Sequence, residues 1–182
     1  RQRQMCIRDS KRDEDDHTAR YYRALAKINL GIWERTREDL YLLSRRAAYR
    51  HVAPYVLASL SIKEKDYQGA RNLLKNALRN NPDDAKASVM LAAVERHLGN
   101  RKEAERLIEG ILKENPIDPL ALLEKKLLSG QGELEILRSD PEYYLEIASD
   151  YSEMNLVEDA KAALESYFEN ADAKDYPLLY YY

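Results

Sequence analysis

The stretch from Pro54 to Pro116, PYVLASLSIKEKDYQGARNLLKNALRNNPDDAKASVMLAAVERHLGNRKEAERLIEGILKENP, writes one pattern twice. Ala70 returns as Ala104, Leu74 as Ile108, Asn81-Pro82 as Asn115-Pro116, and Leu57-Ala58 as Leu91-Ala92, each 34 residues further on. One helical hairpin cannot bury its apolar stripe alone, so a fixed period of this length marks hairpins that stack on one another. Such an array implies a binding scaffold more than a catalyst.

Working outward, the period lays down frames at residues 17–50, 51–84 and 85–118. In the middle frame the apolar spacing predicts a first helix from about Ala53 to Glu64 and a second from about Tyr67 to Arg79. Asp66 and, one repeat later, Asn100 are placed to cap the second helices. Gly31 and Gly99 fall where first helices end, and Pro82 and Pro116 follow second helices and stop them. The first frame has Ala48 in place of that proline, so its second helix is expected to run on toward Tyr49.

Beyond Pro116 the register slips. Asp118-Pro119 opens a helix through Leu128, and Ser129-Gly130-Gln131-Gly132 breaks it, leaving Glu133–Arg138 for a stunted partner. Asp140-Pro141 starts a full frame, 141–174, in which Ala148, Ala160 and Leu164 take the equivalent places. Ala92 to Ala148 spans 56 residues, so the frame between, 119–140, is about twelve residues short. Residues 175–182 read as the start of another first helix, cut off, and the three terminal tyrosines as an edge for self-association.

These residues resemble the tetratricopeptide repeat. That family places small residues where its two helices cross, and here stand Ala24, Ala58 and Ala92, then Thr36, Ala70 and Ala104. Leu40, Leu74 and Ile108 supply the large residue that fills the gap beside them, and Trp33 and Tyr67 the aromatic that opens the second helix. Arg101, Leu43 and Ile111 depart from the pattern without shifting its register. The resemblance implies an all-α, right-handed α-α superhelix, a TPR-like solenoid of about five hairpins, one of them shortened.

At its N-terminus the chain carries other material. Met5-Cys6-Ile7-Arg8-Asp9-Ser10 resembles the conceptual translation of a sequencing adapter, so residues 1–10 are set aside from the fold. Residues 11–16 are a charged lead-in whose acidic end favours a helix N-terminus. The whole chain has 182 residues and a formal net charge of −3; without residues 1–10 it stands at −5 and holds no cysteine. That remainder excludes disulfides and thiolate zinc sites, and its charge gives no reason to expect nucleic acid. No apolar run approaches the ~20 residues that span a bilayer, so no membrane partner and a cytoplasmic location are expected.

The sequence offers no recognisable catalytic group, cofactor site or metal site. His17 and His51 share the opening place of adjacent frames, but no carboxylate or third imidazole recurs in that column. Phosphate-cradling glycine loops and nucleophile elbows are absent from the sequence. The many carboxylates read as solvated helix faces or helix N-termini. The chain is not expected to be an enzyme.

What the resemblance implies about function lies on the first helices, which line the concave face in the family. Carried over, they give Tyr21, Leu25 and Ile28, then Val52, Tyr55, Ser59, Ile62 and Lys63, then Lys86, Val89, Ala93, Arg96 and His97. This mixture of apolar and cationic groups suits a protein or peptide segment with apolar anchors and some acidic character. The lysine and asparagine of the family's clamp for chaperone tails are replaced by Tyr21 with Leu25, and by Tyr55 with Ser59, so no such tail is expected. A narrower resemblance is carried by Trp33-Glu34-Arg35, by Asn115 through Ala121, and by Tyr144 through Ala148 with Asp150-Tyr151. These look like the C-terminal repeat region of long bacterial proteins of unassigned function with β-rich, carbohydrate-active-looking domains upstream. Two functions are therefore expected in competition. One is a protein-protein interaction scaffold that binds a partner segment in the concave groove. The other is the accessory helical region of a carbohydrate-processing enzyme.

Overall fold

The computed structural model describes residues 16–130 and 141–168. Every regular element among the described residues is a helix: α1 (His17–Asn29), α2 (Glu34–Ser44), a 3-10 turn (Ala47–Tyr49), α3 (Val52–Lys63), α4 (Tyr67–Asn80), α5 (Ala85–His97), α6 (Arg101–Glu114), α7 (Pro119–Ser129), α8 (Pro141–Glu153) and α9 (Val157–Phe168). The expected all-α solenoid is what forms. Residues 1–15, the stunted helix at 133–138 and the helix start at 175–182 lie outside the described residues.

Local chemistry sets the helix ends. Asp16, Asp66, Asp84 and Asp118 each accept backbone N–H bonds from the first turn that follows, satisfying donors the helix itself cannot. Asn100 precedes α6 but makes no such cap. Its Nδ2 instead donates to Glu95 Oε2 at 2.7 Å, so a buried carboxylate takes the side chain that the cap was expected to use. The hairpin turns need a left-handed residue, and Gly31 (φ 74°) and Gly99 (φ 78°) supply it. Lys65 (φ 61°) and Asn155 (φ 60°) hold the same conformation at the equivalent turns, without the glycine.

One expected helix is shorter than anticipated. The second helix of the first frame does not run on to Tyr49: α2 ends at Ser44 and Arg46 turns extended (φ −93°, ψ 134°) before the 3-10 turn. Ser44 Oγ donates to the Tyr41 carbonyl at 2.8 Å, an alternative to helix continuation. Tyr49 is drawn back onto α1, its ring 5.4 Å from that of Tyr21 and its hydroxyl 3.0 Å from Thr18 Oγ1.

Packing follows the small-residue pattern. Ala24, Ala58, Ala92, Thr36, Ala70 and Ala104 are fully buried where helices cross, as are Leu40 and Leu74 beside them. Thr36 meets its polar obligation by donating to the Ile32 carbonyl at 2.6 Å. Helices α4 and α6 bury one stripe only, Ala70-Leu74-Ala77 and Ala104-Ile108. By contrast α3 buries every residue from Ala53 to Ile62 except Tyr55, and α5 every residue from Val89 to Glu95. A helix buried on nearly all sides must be covered on all of them. Helix α5 packs against α4, α6 and α7, and α3 against α2 and α4. The last hairpin touches both through single side-chain contacts, Asn155 on α3 and Asp150 and Asp159 on α5.

That hairpin, α8–α9, packs on α7 at its base. Its turn reaches back much further, where Asn155 Nδ2 donates to the Ser59 carbonyl in the middle of α3, 96 residues away, at 3.1 Å. A linear array brings each hairpin against its immediate neighbours. Here the last one also lies across α5 and α3. The hydrophobic core accordingly falls in two clusters: a small one around Ala24, Leu40, Leu57 and Leu60, and a large one running from Ala58 through α5 to Tyr144, Tyr151 and Tyr167.

Candidate binding face

The residues expected to line the inner side of the first helices lie on α1, α3 and α5, and their surroundings differ. Tyr21 and Leu25 pack on the small N-terminal cluster, and burial together with the neighbouring Tyr22 and Tyr49 raises the Tyr21 hydroxyl above its ordinary value. Lys63 lies with Nζ 3.4 Å from the centroid of the Trp33 ring, a cation–π contact within the array. Ser59, Ile62 and Val89 are buried, at 6%, 3% and 0% exposure. Tyr55 is half-buried; burial first, then Asp84, Asp150 and Glu153, pushes its hydroxyl well above the tyrosine range, so it stays protonated.

Arg96 is the polar centre of this face. Its Nε donates to Glu124 Oε1 at 2.6 Å and a terminal nitrogen to Glu124 Oε2 at 3.3 Å, the forked geometry of a strong guanidinium–carboxylate pair. The same guanidinium lies 3.1 Å from Asp159 Oδ1 on α9. Asp159 Oδ2 in turn lies 3.0 Å from Nε2 of His97, whose ring stacks on Tyr67 with centroids 4.7 Å apart. Burial raises the Asp159 carboxyl, but the His97 hydrogen bond and the Arg96 charge outweigh it and hold the group below the usual aspartate range. On α7, Glu124 also accepts from the Tyr151 hydroxyl at 2.7 Å. Burial, then the Glu124 charge, pushes that hydroxyl far up, so it remains a donor. At the other end of α5, Lys86 Nζ lies 2.6 Å from Asp150, and this bond raises the ammonium above its ordinary value.

The carboxylates correct the sequence expectation. Glu95 and Glu124 are not on solvated faces or at N-termini but fully buried. Glu95 is held by Arg71 at 2.9 Å, Lys75 at 3.4 Å and Asn100. A buried charge is tolerated only when paired and hydrogen-bonded, and both are. A signal for them exists in the sequence: Glu95 closes the apolar run Val89 to Val94, and Glu124 closes the run Leu120 to Leu123.

Beside the Asn155 turn a cleft of about 350 Å³ remains open, lined by Ile62, Lys63, Tyr67, His97, Asn155 and Asp159. A second, of about 910 Å³, lies on the outer side of α8–α9 between Leu145, Ala148, Val157 and Leu164. No group of three or more His, Cys, Asp or Glu among the described residues could hold a metal ion. No helix among them is long and apolar enough to cross a membrane. Arg96, His97 and Lys86 are each matched to a carboxylate of the last hairpin.

Comparison with known proteins agrees with this fold. A family model described as a tetratricopeptide repeat matches residues 61–127. Among solved structures, a chain described as MamA 41-end from Desulfovibrio magneticus RS-1 superposes with a TM-score of 0.63 at 16% identity, covering 88% of this chain and 98% of that one. A MamA RS-1 ArsTM double mutant gives a TM-score of 0.63 at 17% identity, over 89% and 98% of the two chains. None of the curated proteins matches. The likeness is one of fold: the chain is an all-α solenoid of the tetratricopeptide type.

Proposed function

We propose that the chain is a protein-interaction scaffold which receives a partner segment on the face built by α3, α5 and α7. The observation that carries this reading is that the face already holds a polypeptide element. Its own α8–α9 hairpin sits there through Asp150 on Lys86, Asp159 on Arg96 and His97, and Asn155 on the Ser59 carbonyl. The partner that fits is a helical or turn segment with two spaced carboxylates and apolar groups between them, because the face offers two separated cationic sites around buried Ile62 and Val89.

The test is an array of helical peptides with and without paired carboxylates, probed with the wild-type chain and with Tyr55→Ala and Arg96→Glu. Preference for the acidic peptides, lost on Arg96→Glu at unchanged helix content by circular dichroism and weakened on Tyr55→Ala, supports the face. Binding indifferent to both substitutions sinks it. The accessory-region reading gains no support from the described residues.

A further inference from the structure

We infer that the outer groove between α4 and α6 is a second docking site, separate from the inner face, and that its occupant is an acidic amphipathic helix of a partner protein.

The groove has a volume of about 700 Å³. Its apolar lining is Leu78 and Leu107, both half-buried against the main core, together with buried Leu91 of α5. Three cations, Lys75, Arg79 and Arg106, share the lining with one carboxylate, Glu103. That carboxylate is already taken by Arg106, whose guanidinium bonds both of its oxygens at 2.8 and 2.9 Å. Lys75 lies 3.4 Å from Glu95, which Arg71 holds at 2.9 Å. Arg79 is exposed and pairs with no carboxylate among the described residues. The groove therefore keeps a positive surplus on a chain whose net charge is −3. Its cations complement acidic side chains, and its leucines complement apolar ones.

Nothing in the repeat demands this arrangement. Arg71, Lys75 and Arg79 recur every four residues and form one row along α4. The same places 34 residues earlier hold Arg37, Tyr41 and Arg45, and 34 residues later Glu105, Glu109 and Lys113. Leu78 has Ser44 as its earlier counterpart. A second observation comes from α6. Gly110 is exposed in the helix interior, three residues past Leu107 and four past Arg106, and so lies on the stripe that lines the groove. A glycine there makes a less stable helix than alanine would. Gly69 of α4 has a local reason, because a Cβ would run into the Asp66 carboxylate that caps the helix. At Gly110 an added Cβ would meet nothing within 4 Å. The fold does not call for bare backbone at that place, whereas a helix laid closely against α6 does. The row from Arg71 to Arg79 spans about 12 Å, which matches about two turns of a partner helix. Carboxylates four residues apart on that helix repeat at the spacing of Lys75 and Arg79.

The probe is a synthetic alanine-based helical peptide with glutamates at i and i+4, leucines on the adjacent stripe and a benzophenone at one leucine position. It is compared with versions carrying serine for leucine or lysine for glutamate, and with oligothymidylate. The proteins are the full chain, Arg79→Glu and Gly110→Gln. The expected result is binding of the glutamate–leucine peptide, with cross-links to α4 and α6. Reversing the Arg79 charge should weaken it by about tenfold or more. Gly110→Gln should weaken it as well while leaving the melting temperature equal or higher, an outcome that a purely structural glycine does not give. Equal binding by all three proteins, or by the serine peptide, would overturn the groove. Cross-links at Tyr55 or Lys86 would place the peptide on the inner side and overturn the outer site while leaving the scaffold reading standing. Preference for oligothymidylate would overturn the acidic helix as occupant. If Arg79→Glu loses helix content by circular dichroism, Gly110→Gln decides.

Discussion

Among individual residues, Glu124 is a fully buried carboxylate with Arg96 forked onto one side and the Tyr151 hydroxyl on the other. Glu124→Ala leaves a partly buried guanidinium and a buried hydroxyl short of a partner, and should destabilise the chain by about 3–5 kcal/mol in urea unfolding. Glu105→Ala, which removes the exposed pair with Arg101, should cost less than about 1 kcal/mol in the same assay. Asp159 adds a pH dependence. Its carboxyl is held below the ordinary aspartate value of 3.8, so its contribution is complete above that pH and is lost as the pH falls further. The stability difference between wild type and Asp159→Asn should be present above pH 3.8 and shrink as the pH falls below it. A difference independent of pH would show that the carboxylate is not what Arg96 and His97 hold.

At the level of the helical hairpin, the turns and crossings set the geometry, and much of that is legible in the sequence. Ala24, Ala58 and Ala92 announce close crossings, and Gly31 and Gly99 announce turns, because each residue type answers a steric demand that few others meet. Lys65 stays hidden, since nothing in a lysine's own chemistry favours the left-handed region, whereas Asn155 is of a type that adopts it more readily and goes unread as a turn residue. Lys65→Gly should accordingly raise stability, by about 1 kcal/mol, read as a higher melting temperature. Asn100 departs from expectation for a related reason: its side chain has two uses within reach, and the buried Glu95 carboxylate outcompetes the helix end. The groove residues are legible as a face, but not as a covered one. The family resemblance leads one to expect Ser59, Ile62, Val89 and Arg96 on the inner side of the first helices, whereas the return of α8–α9 depends on contacts that no periodic signal carries.

For the molecule as a whole, that return changes how stability is shared. In a linear array each repeat leans on its neighbours and the ends fray first. Here the last hairpin is tied to α3 and α5, while the first hairpin has its own small core around Ala24 and Leu40. Native-state hydrogen exchange should therefore show α8 amides nearly as protected as those of α5, with α1 opening earlier than either. Graded loss of protection from α5 outward to both ends would contradict the tie. The 96-residue separation between Asn155 and Ser59 also bears on the order of assembly. Contacts between adjacent hairpins close short loops and form quickly, whereas this one must wait for most of the chain and carries the entropy of a long closure. A nascent chain leaving the ribosome thus displays its inner face before the segment that covers it has been made. For that interval the site is open to whatever is nearby.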